Sequence, residues 1–250
     1  MTVSQALPIY HRLCQVYDLD WGRFPRQCVD LIDALLRERG MNRVRVLDLA
    51  CGTGILAVAL AEKGHTVRGI DISPAMIDIA RQRATTPSVA FGVQDMARFE
   101  AGGPFDLVTC TYDSINYLRG HRTLRGFFRR VAKVLTDRGL FVFDATTEQL
   151  AKSASQGTGQ RELGGITFLH RFECDVLRRE LRTVFEFQDG TREVHRQYPR
   201  SPDELRDLLL SAGLAVNRLF SGYDGADYQP DAERVVYVAE KARTLPVPQG

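Results

Sequence analysis

The segment Val46-Leu47-Asp48-Leu49-Ala50-Cys51-Gly52-Thr53-Gly54-Ile55-Leu56 carries the densest chemical signal in the chain. An apolar run that fits a buried strand enters a turn with two glycines and leaves into an apolar helix. That arrangement aims backbone N–H groups and a helix N-terminus at a ligand outside the carboxyl end of a sheet. A glycine pair alone is weak, but Asp71 closes the next apolar run, nineteen residues after Gly52. A carboxylate there can accept both hydrogen bonds of a ribose diol, so Gly52, Gly54 and Asp71 together point to an adenosine-type ligand. A dinucleotide fingerprint places a third glycine where this chain has Ala57, and alanine is tolerated there, so that position alone does not exclude NAD. Asp48 discriminates better. An anion just before the loop repels a pyrophosphate and attracts an ammonium or sulfonium, which favours S-adenosylmethionine.

Such a site needs a frame. Strand-like apolar runs at 44–50, 65–71, 89–93, 105–111 and 140–144 alternate with helical patterns at 55–63, ended by Gly64, and 74–84, opened by Pro74. A further helix ends near Leu135. Alternation of this kind implies right-handed crossovers and an α/β, doubly wound, Rossmann-like sheet that is mostly parallel. Upstream, Val3, Leu7, Tyr10, Cys14 and Tyr17 recur at helical spacing, which predicts a helix with Tyr10 and Tyr17 on one face. A second helix is expected at 26–39, with Val29, Ile32, Leu35 and Leu36 on one face and Gly40 as its cap.

After Thr147 the rhythm changes. Residues 151–159 are small and polar and read as a mobile loop, and strand-like stretches follow at 166–176, 181–188 and 192–198. Asp189-Gly190 marks a hairpin between the last two. Ser201-Pro202-Asp203-Glu204 starts a helix that Gly213 ends. Strands at 215–221 and 234–240 return the chain to the sheet as an antiparallel C-terminal hairpin, and the tail after Arg243 is expected to fray. The domain organisation expected is a helical cover at 1–40, a ligand-binding core at 41–147 and 200–243, and an antiparallel β insertion at 160–199. The insertion would roof the pocket or form a homodimer contact.

Composition narrows the function classes. The 250 residues carry 33 Lys and Arg against 31 Asp and Glu, a net charge of +2 that is too balanced for a protein whose main partner is a nucleic acid. No apolar run is long enough to span a membrane, and the N-terminus lacks a basic region followed by an apolar stretch. The five cysteines form no CxxC pair, so neither zinc nor disulfides are expected and a reducing cytoplasm is the natural setting.

On these residues the chain resembles the class I S-adenosylmethionine-dependent methyltransferases. Asp48 to Gly54 looks like their first motif, Gly69-Ile70-Asp71-Ile72-Ser73 like the second and Gln94-Asp95-Met96 like the third. The stretches 105–109 and 140–144 look like their fourth and fifth strands. Tyr112 to Tyr117, the Glu193-Val194-His195 strand and 234–239 narrow the resemblance to small-molecule enzymes with a β insertion, similar to glycine and aminosugar N-methyltransferases. The resemblance implies that Asp48 and the Ala50 carbonyl hold the methionine ammonium, while Gly52 and Gly54 let the ligand approach the backbone. Asp71 would clamp the ribose, Ile72 would cover one adenine face, and Asp95 and the Met96 N–H would pair with the adenine edge. Tyr17 would reach the methionine carboxylate.

Methyl transfer is an in-line displacement that chiefly requires positioning and exclusion of water. If a base exists, His195 is the first choice, because it shares a strand face with Glu193 and imidazole titrates near neutrality. Tyr10 is the second catalytic candidate, Tyr112 and Asn116 are candidates to line the acceptor pocket, and His121 and His170 are weaker. Asp113 and Asp144 stand about where a catechol-type enzyme holds magnesium, but Ala145 replaces a polar ligand, so no metal is expected. Arg122, Arg125 and Arg129 repeat at helical spacing, which leaves tRNA or a carrier-bound substrate as a minor alternative to a small-molecule nitrogen or oxygen. An NAD-dependent oxidoreductase and a non-catalytic S-adenosylmethionine-binding protein are the competing classes.

Overall fold

The computed structural model describes residues 5–153 and 157–242. Seven strands form the central sheet: β2 (Arg45–Leu49), β3 (Thr66–Asp71), β4 (Val89–Val93), β5 (Phe105–Cys110), β6 (Leu135–Thr146), β11 (Leu214–Phe220) and β12 (Arg234–Lys241). Their spatial order is β11-β12-β6-β5-β2-β3-β4. Pairs from β4 through β6 are parallel, whereas β12 runs antiparallel to both β6 and β11. The chain winds outward from β2 through β3 to β4, then returns to β5 and winds the other way. The resulting switch point lies between the carboxyl ends of β2 and β5, the place where open α/β sheets bind ligands.

Both sheet faces are covered, which explains the continuous apolar runs. Along β6 the period of two sends Phe141 and Phe143 to one face and Leu140 and Val142 to the other. Helix α5 (His121–Val134) packs Leu124, Phe127, Phe128 and Val131 on the first face and leaves Arg122, Arg125 and Arg129 in solvent. Helices α2 (Arg23–Glu38) and α3 (Ile55–Glu62) cover the second face, the former through Val29, Ile32, Leu35 and Leu36. Serine caps begin α4 (Pro74–Arg83) and α7 (Pro202–Leu210): Ser73 accepts from the Met76 N–H and Ser201 from the Glu204 N–H, each just ahead of a proline at the first helical position.

A second, five-stranded sheet has the order β1-β10-β9-β8-β7. Strands β7 (Gly157–Leu163), β8 (Ile166–Asp175), β9 (Glu180–Phe187) and β10 (Thr191–Gln197) form an antiparallel meander, and β1 (Gln5–Ala6) adds to it in parallel with β10. The expected Asp189-Gly190 hairpin is present, with Gly190 at a φ of 79°.

The N-terminal segment departs from the expected helix. After β1 it passes through a left-handed Tyr10 at a φ of 60°, a 3₁₀ turn at Leu13–Gln15 and the four-residue α1 (Tyr17–Asp20). The cause is tertiary: the Glu193 carboxylate accepts the backbone N–H groups of Tyr10, Arg12 and Leu13, which the interior of a continuous helix would commit to carbonyls four residues earlier. Val3, the first residue of the expected helical face, lies outside the described residues. The stretch read as a mobile loop at 151–159 instead includes the end of α6 (Glu148–Ser153) and the start of β7, whose glycines and exposed edge position hide a strand from sequence patterning. Residues 154–156 and the tail after Arg243 are outside the described residues.

Candidate functional site

The turn after β2 is built from left-handed backbone, with Ala50 at a φ of 55° and Gly52 at 53°. Asp71, at the end of β3, fixes it: Oδ2 accepts the Gly52 N–H at 3.0 Å and Oδ1 accepts the Ser73 N–H at 2.8 Å. Burial pushes the Asp71 carboxyl up, opposed by these backbone hydrogen bonds. A Cβ on Gly52 would meet nothing within 4 Å, so this glycine leaves open space over the turn. Gly54 has a different task from the one expected. A Cβ there would stand 2.7 Å from the Phe91 ring and 3.0 Å from Ala80, so Gly54 allows close helix packing, and it is not a wall of the cavity above the turn.

Above the turn lies a cavity of about 280 Å³ walled by Asp48, Ala50, Gly52, Asp71, Ile72, Asp95 and Met96, with Tyr10, Tyr17 and Tyr112 among its other walls. Asp48 is 1% exposed; its Oδ1 accepts from Thr109 Oγ1 at 2.7 Å and its Oδ2 has no partner. Burial pushes this carboxyl up to about 7, against the pull of the Thr109 hydrogen bond. A buried, half-satisfied carboxyl suits a cation. Ile72 is 55% exposed at the cavity wall, an apolar surface ready for a flat ring. One Asp95 oxygen accepts the Ala97 N–H at 2.8 Å, and the Met96 sulfur lies 3.9 Å from Cys110 Sγ. The free oxygen of Asp48, the carboxylate of Asp71 and the apolar face of Ile72 would suit, in order, an ammonium, a ribose diol and an adenine ring. The residues present fit S-adenosylmethionine.

A second cavity of about 210 Å³ adjoins the first, sharing Tyr10, Tyr17, Tyr112 and Tyr117 with it, and the insertion supplies His170, Phe185 and His195 to its walls. His195 is 4% exposed, and both its ring nitrogens are engaged. Nδ1 lies 2.8 Å from Tyr117 Oη and Nε2 lies 3.3 Å from Glu193 Oε2. Tyr117 Oη in turn lies 2.9 Å from Tyr10 Oη. His170 stacks on Phe185, and burial pushes its pKa down. Tyr112, at a φ of 57°, stacks on Phe24 and lies under the Arg234 guanidinium.

Several sequence candidates do other work. Asn116 lines neither cavity: its amide donates to the carbonyls of Thr146 and Tyr198 and accepts the Thr146 N–H, so it ties the 3₁₀ turn Ser114–Tyr117 to β6 and has no polar atom for an acceptor. His121 pairs with Glu204 on the surface. Asp113 and Asp144 both ion-pair with Arg234; Asp113 also accepts from Gln197 at 2.6 Å, and Asp144 from Tyr223. The sequence reading placed Tyr117 in the stretch that narrows the resemblance but gave it no role at the site. It also missed Asp18, which accepts from Thr53 Oγ1 at 2.7 Å and ion-pairs with Arg83, latching α1 to the glycine turn.

Comparison with known proteins bears on this geometry. Residues 46–139 match the family described as a methyltransferase domain. The chain is 30% identical over 248 residues to the Bacillus subtilis (strain 168) protein named "Putative methyltransferase YqeM", covering 95% of this chain and 99% of that one. It is 34% identical over 136 residues, 53% of this chain and 52% of the other, to the dTDP-3-amino-3,6-dideoxy-alpha-D-glucopyranose N,N-dimethyltransferase of Streptomyces fradiae. Among solved structures, an S-adenosylmethionine-dependent methyltransferase from Clostridium acetobutylicum ATCC 824 superposes with a TM-score of 0.81 at 21% identity, covering 94% of this chain and 99% of that one. No described helix is long and apolar enough to cross a membrane.

Proposed function

The chain belongs to the class I S-adenosylmethionine-dependent methyltransferases, and we propose that it methylates a nitrogen of a small molecule held in the second cavity. The observation that carries this reading is the pair of adjoining cavities with four tyrosines in common, one cavity fitted to the donor and the other walled by the insertion. A partner the size of the second cavity, about 210 Å³, is a small molecule. Nitrogen is put ahead of oxygen on the likeness to the Streptomyces fradiae protein alone, which is named an amino-sugar N,N-dimethyltransferase; other relatives are named O-methyltransferases. The α5 arginines line neither cavity, so they give a tRNA or carrier-bound substrate no support.

In this reading Asp48 and the Ala50 carbonyl hold the methionine ammonium and Tyr17 its carboxylate. Asp71 binds the ribose, and Ile72, Asp95 and Met96 frame the adenine. When bound, S-adenosylmethionine supplies a methyl group on a sulfonium sulfur, an electrophile already strong enough to need orientation more than activation. Tyr10, Tyr17 and Tyr112 close the boundary between the cavities and exclude water. Calorimetric titration with S-adenosylhomocysteine and with NADH, followed by mass spectrometry of small amines, alcohols and RNA incubated with S-adenosylmethionine, tests the assignment. Saturable binding of S-adenosylhomocysteine alone and N-methylated amine products are expected. NADH binding, or methylation of hydroxyls or RNA only, would overturn it.

A further inference from the structure

The second cavity contains a hydrogen-bonded chain whose direction can be deduced atom by atom. Glu193 is fully buried on β10, and its carboxylate accepts the Tyr10, Arg12 and Leu13 N–H groups. Three backbone N–H groups and an imidazole nitrogen converge on this carboxylate and favour its ionised form. Burial alone would raise its pKa, but the hydrogen bonds from His195, Arg12 and Leu13 outweigh that and hold it low. Facing this carboxylate at 3.3 Å, His195 Nε2 is the nitrogen placed to carry a hydrogen, and in the neutral imidazole Nδ1 is then the acceptor. Tyr117 Oη, 2.8 Å from Nδ1, donates to it, and Tyr10 Oη, 2.9 Å from Tyr117 Oη, donates to Tyr117. Tyr10, the outer member of this chain, is a wall of both cavities.

We infer that Tyr10, Tyr117 and His195 form a proton relay that takes a proton from an ammonium acceptor, with Glu193 as the positioning residue that sets its polarity. The inference rests on the small-amine reading above. An amine is a nucleophile only after losing a proton, because the ammonium form has no lone pair. The acceptor N–H bond breaks as a bond to Tyr10 Oη forms. Tyr10 passes its own hydrogen to Tyr117, and Tyr117 passes its hydrogen to His195 Nδ1. Neither tyrosine becomes a free phenolate, since burial raises both hydroxyls well above their ordinary range, so the shifts are concerted. The imidazolium that results lies between Tyr117 and the Glu193 carboxylate. Its proton returns to water through the same hydroxyls after product leaves and solvent refills the cavity.

The groups facing His195 support this direction of flow. Glu193 and Thr183 face it from its own sheet, Tyr117 from the 3₁₀ turn and Tyr10 from the N-terminal segment. Phe185 separates it from His170, and Asp113 lines the same cavity. Glu193 is the one carboxylate among them in contact with the ring.

Two measurements decide the matter. Long-range ¹H–¹⁵N NMR of the imidazoles, in the full chain with S-adenosylhomocysteine at about pH 8, reads the His195 tautomer without any acceptor. The relay requires hydrogen on Nε2 and none on Nδ1, and the opposite tautomer overturns it. Steady-state kinetics with an amine that the wild-type enzyme methylates then compares Tyr117→Phe and His195→Gln, each checked for unchanged S-adenosylhomocysteine affinity. The expected result is kcat about 100-fold lower at neutral pH, within the range positioned acid–base groups contribute, recovering at high pH as free amine forms, with KM changed little. Wild-type kcat in Tyr117→Phe at every pH overturns the relay while the functional reading stands. A wild-type enzyme that methylates no amine overturns the reading and the relay with it.

Discussion

Asp48 is the residue at which electrostatics and ligand choice meet. In the free protein, burial raises its carboxyl from 3.8 to about 7. In the proposed site the donor's ammonium would pair with the ionised form, so binding near pH 6 would first displace a proton. Affinity for S-adenosylhomocysteine should therefore rise as pH climbs towards about 7 and level off above it. Stability follows the opposite sign. A carboxyl raised on folding contributes stability that is complete below about pH 4 and is lost as pH rises through about 7, so the Asp48 contribution to the ligand-free protein should fall over that window. Asp48→Asn should flatten both profiles, and calorimetric titration with parallel thermal melts reads them. An affinity that does not change with pH in the wild-type chain would remove Asp48 as the ammonium partner. Asp71→Ala should weaken binding by about 1–3 kcal/mol, the cost of an unpaired buried polar group. Unchanged affinity would sink the ribose assignment.

At the scale of elements, α1 acts as a latch. Its Asp18 joins the short helix to Thr53 in the glycine turn and to Arg83 in α4, and the helix carries Tyr17 over the donor cavity. Asp18→Ala should remove about 1–2 kcal/mol of closure and speed ligand release roughly 5- to 30-fold. Trp21 is the single tryptophan, is stacked on Tyr17, and so reports opening by its fluorescence in stopped-flow dissociation. Release at the wild-type rate would show that α1 is not the rate-limiting cover. Elements of this kind mark where the sequence was legible. The strands and helices of the central sheet follow from apolar periodicity, glycine caps and Ser-Pro starts, because each is dictated by its own residues, and the donor motif sits on those strand ends. The N-terminal segment does not, because a carboxylate nearly two hundred residues away, Glu193, sets its backbone. For the same reason His195 was legible as a candidate, but its dependence on Tyr117 was not: the contact joins β10 to a 3₁₀ turn 78 residues earlier.

Across the whole molecule, the N-terminal segment joins two separately built cores. The two clusters that flank the central sheet contain no residue before Cys28, whereas the insertion's cluster of Phe168, Phe185 and Phe187 is completed by Leu13 and Val16. Strand β1 also pairs with β10 and supplies the edge of that sheet. The central sheet should therefore fold without the segment, and the insertion should not keep its order without it. A chain that starts at Gly22 should still unfold cooperatively, while amide hydrogens of β8, β9 and β10 exchange faster than in the full chain by the loss of two buried aliphatic side chains and the three N–H partners of Glu193. Truncating a core aliphatic side chain typically costs about 2–5 kcal/mol, so the loosening should be large enough to reach the exchange-competent state without global unfolding. Because Tyr10 and Tyr17 leave with the segment, binding of S-adenosylhomocysteine should weaken as well, although Asp48 and Asp71 stay in place. Hydrogen-exchange mass spectrometry of both chains reads the two regions at once. Protection that falls equally in the central sheet and the insertion would mean one cooperative core. Protection that falls in the insertion alone fits a donor-binding sheet to which the proposed acceptor wall is fastened by residues 5–21.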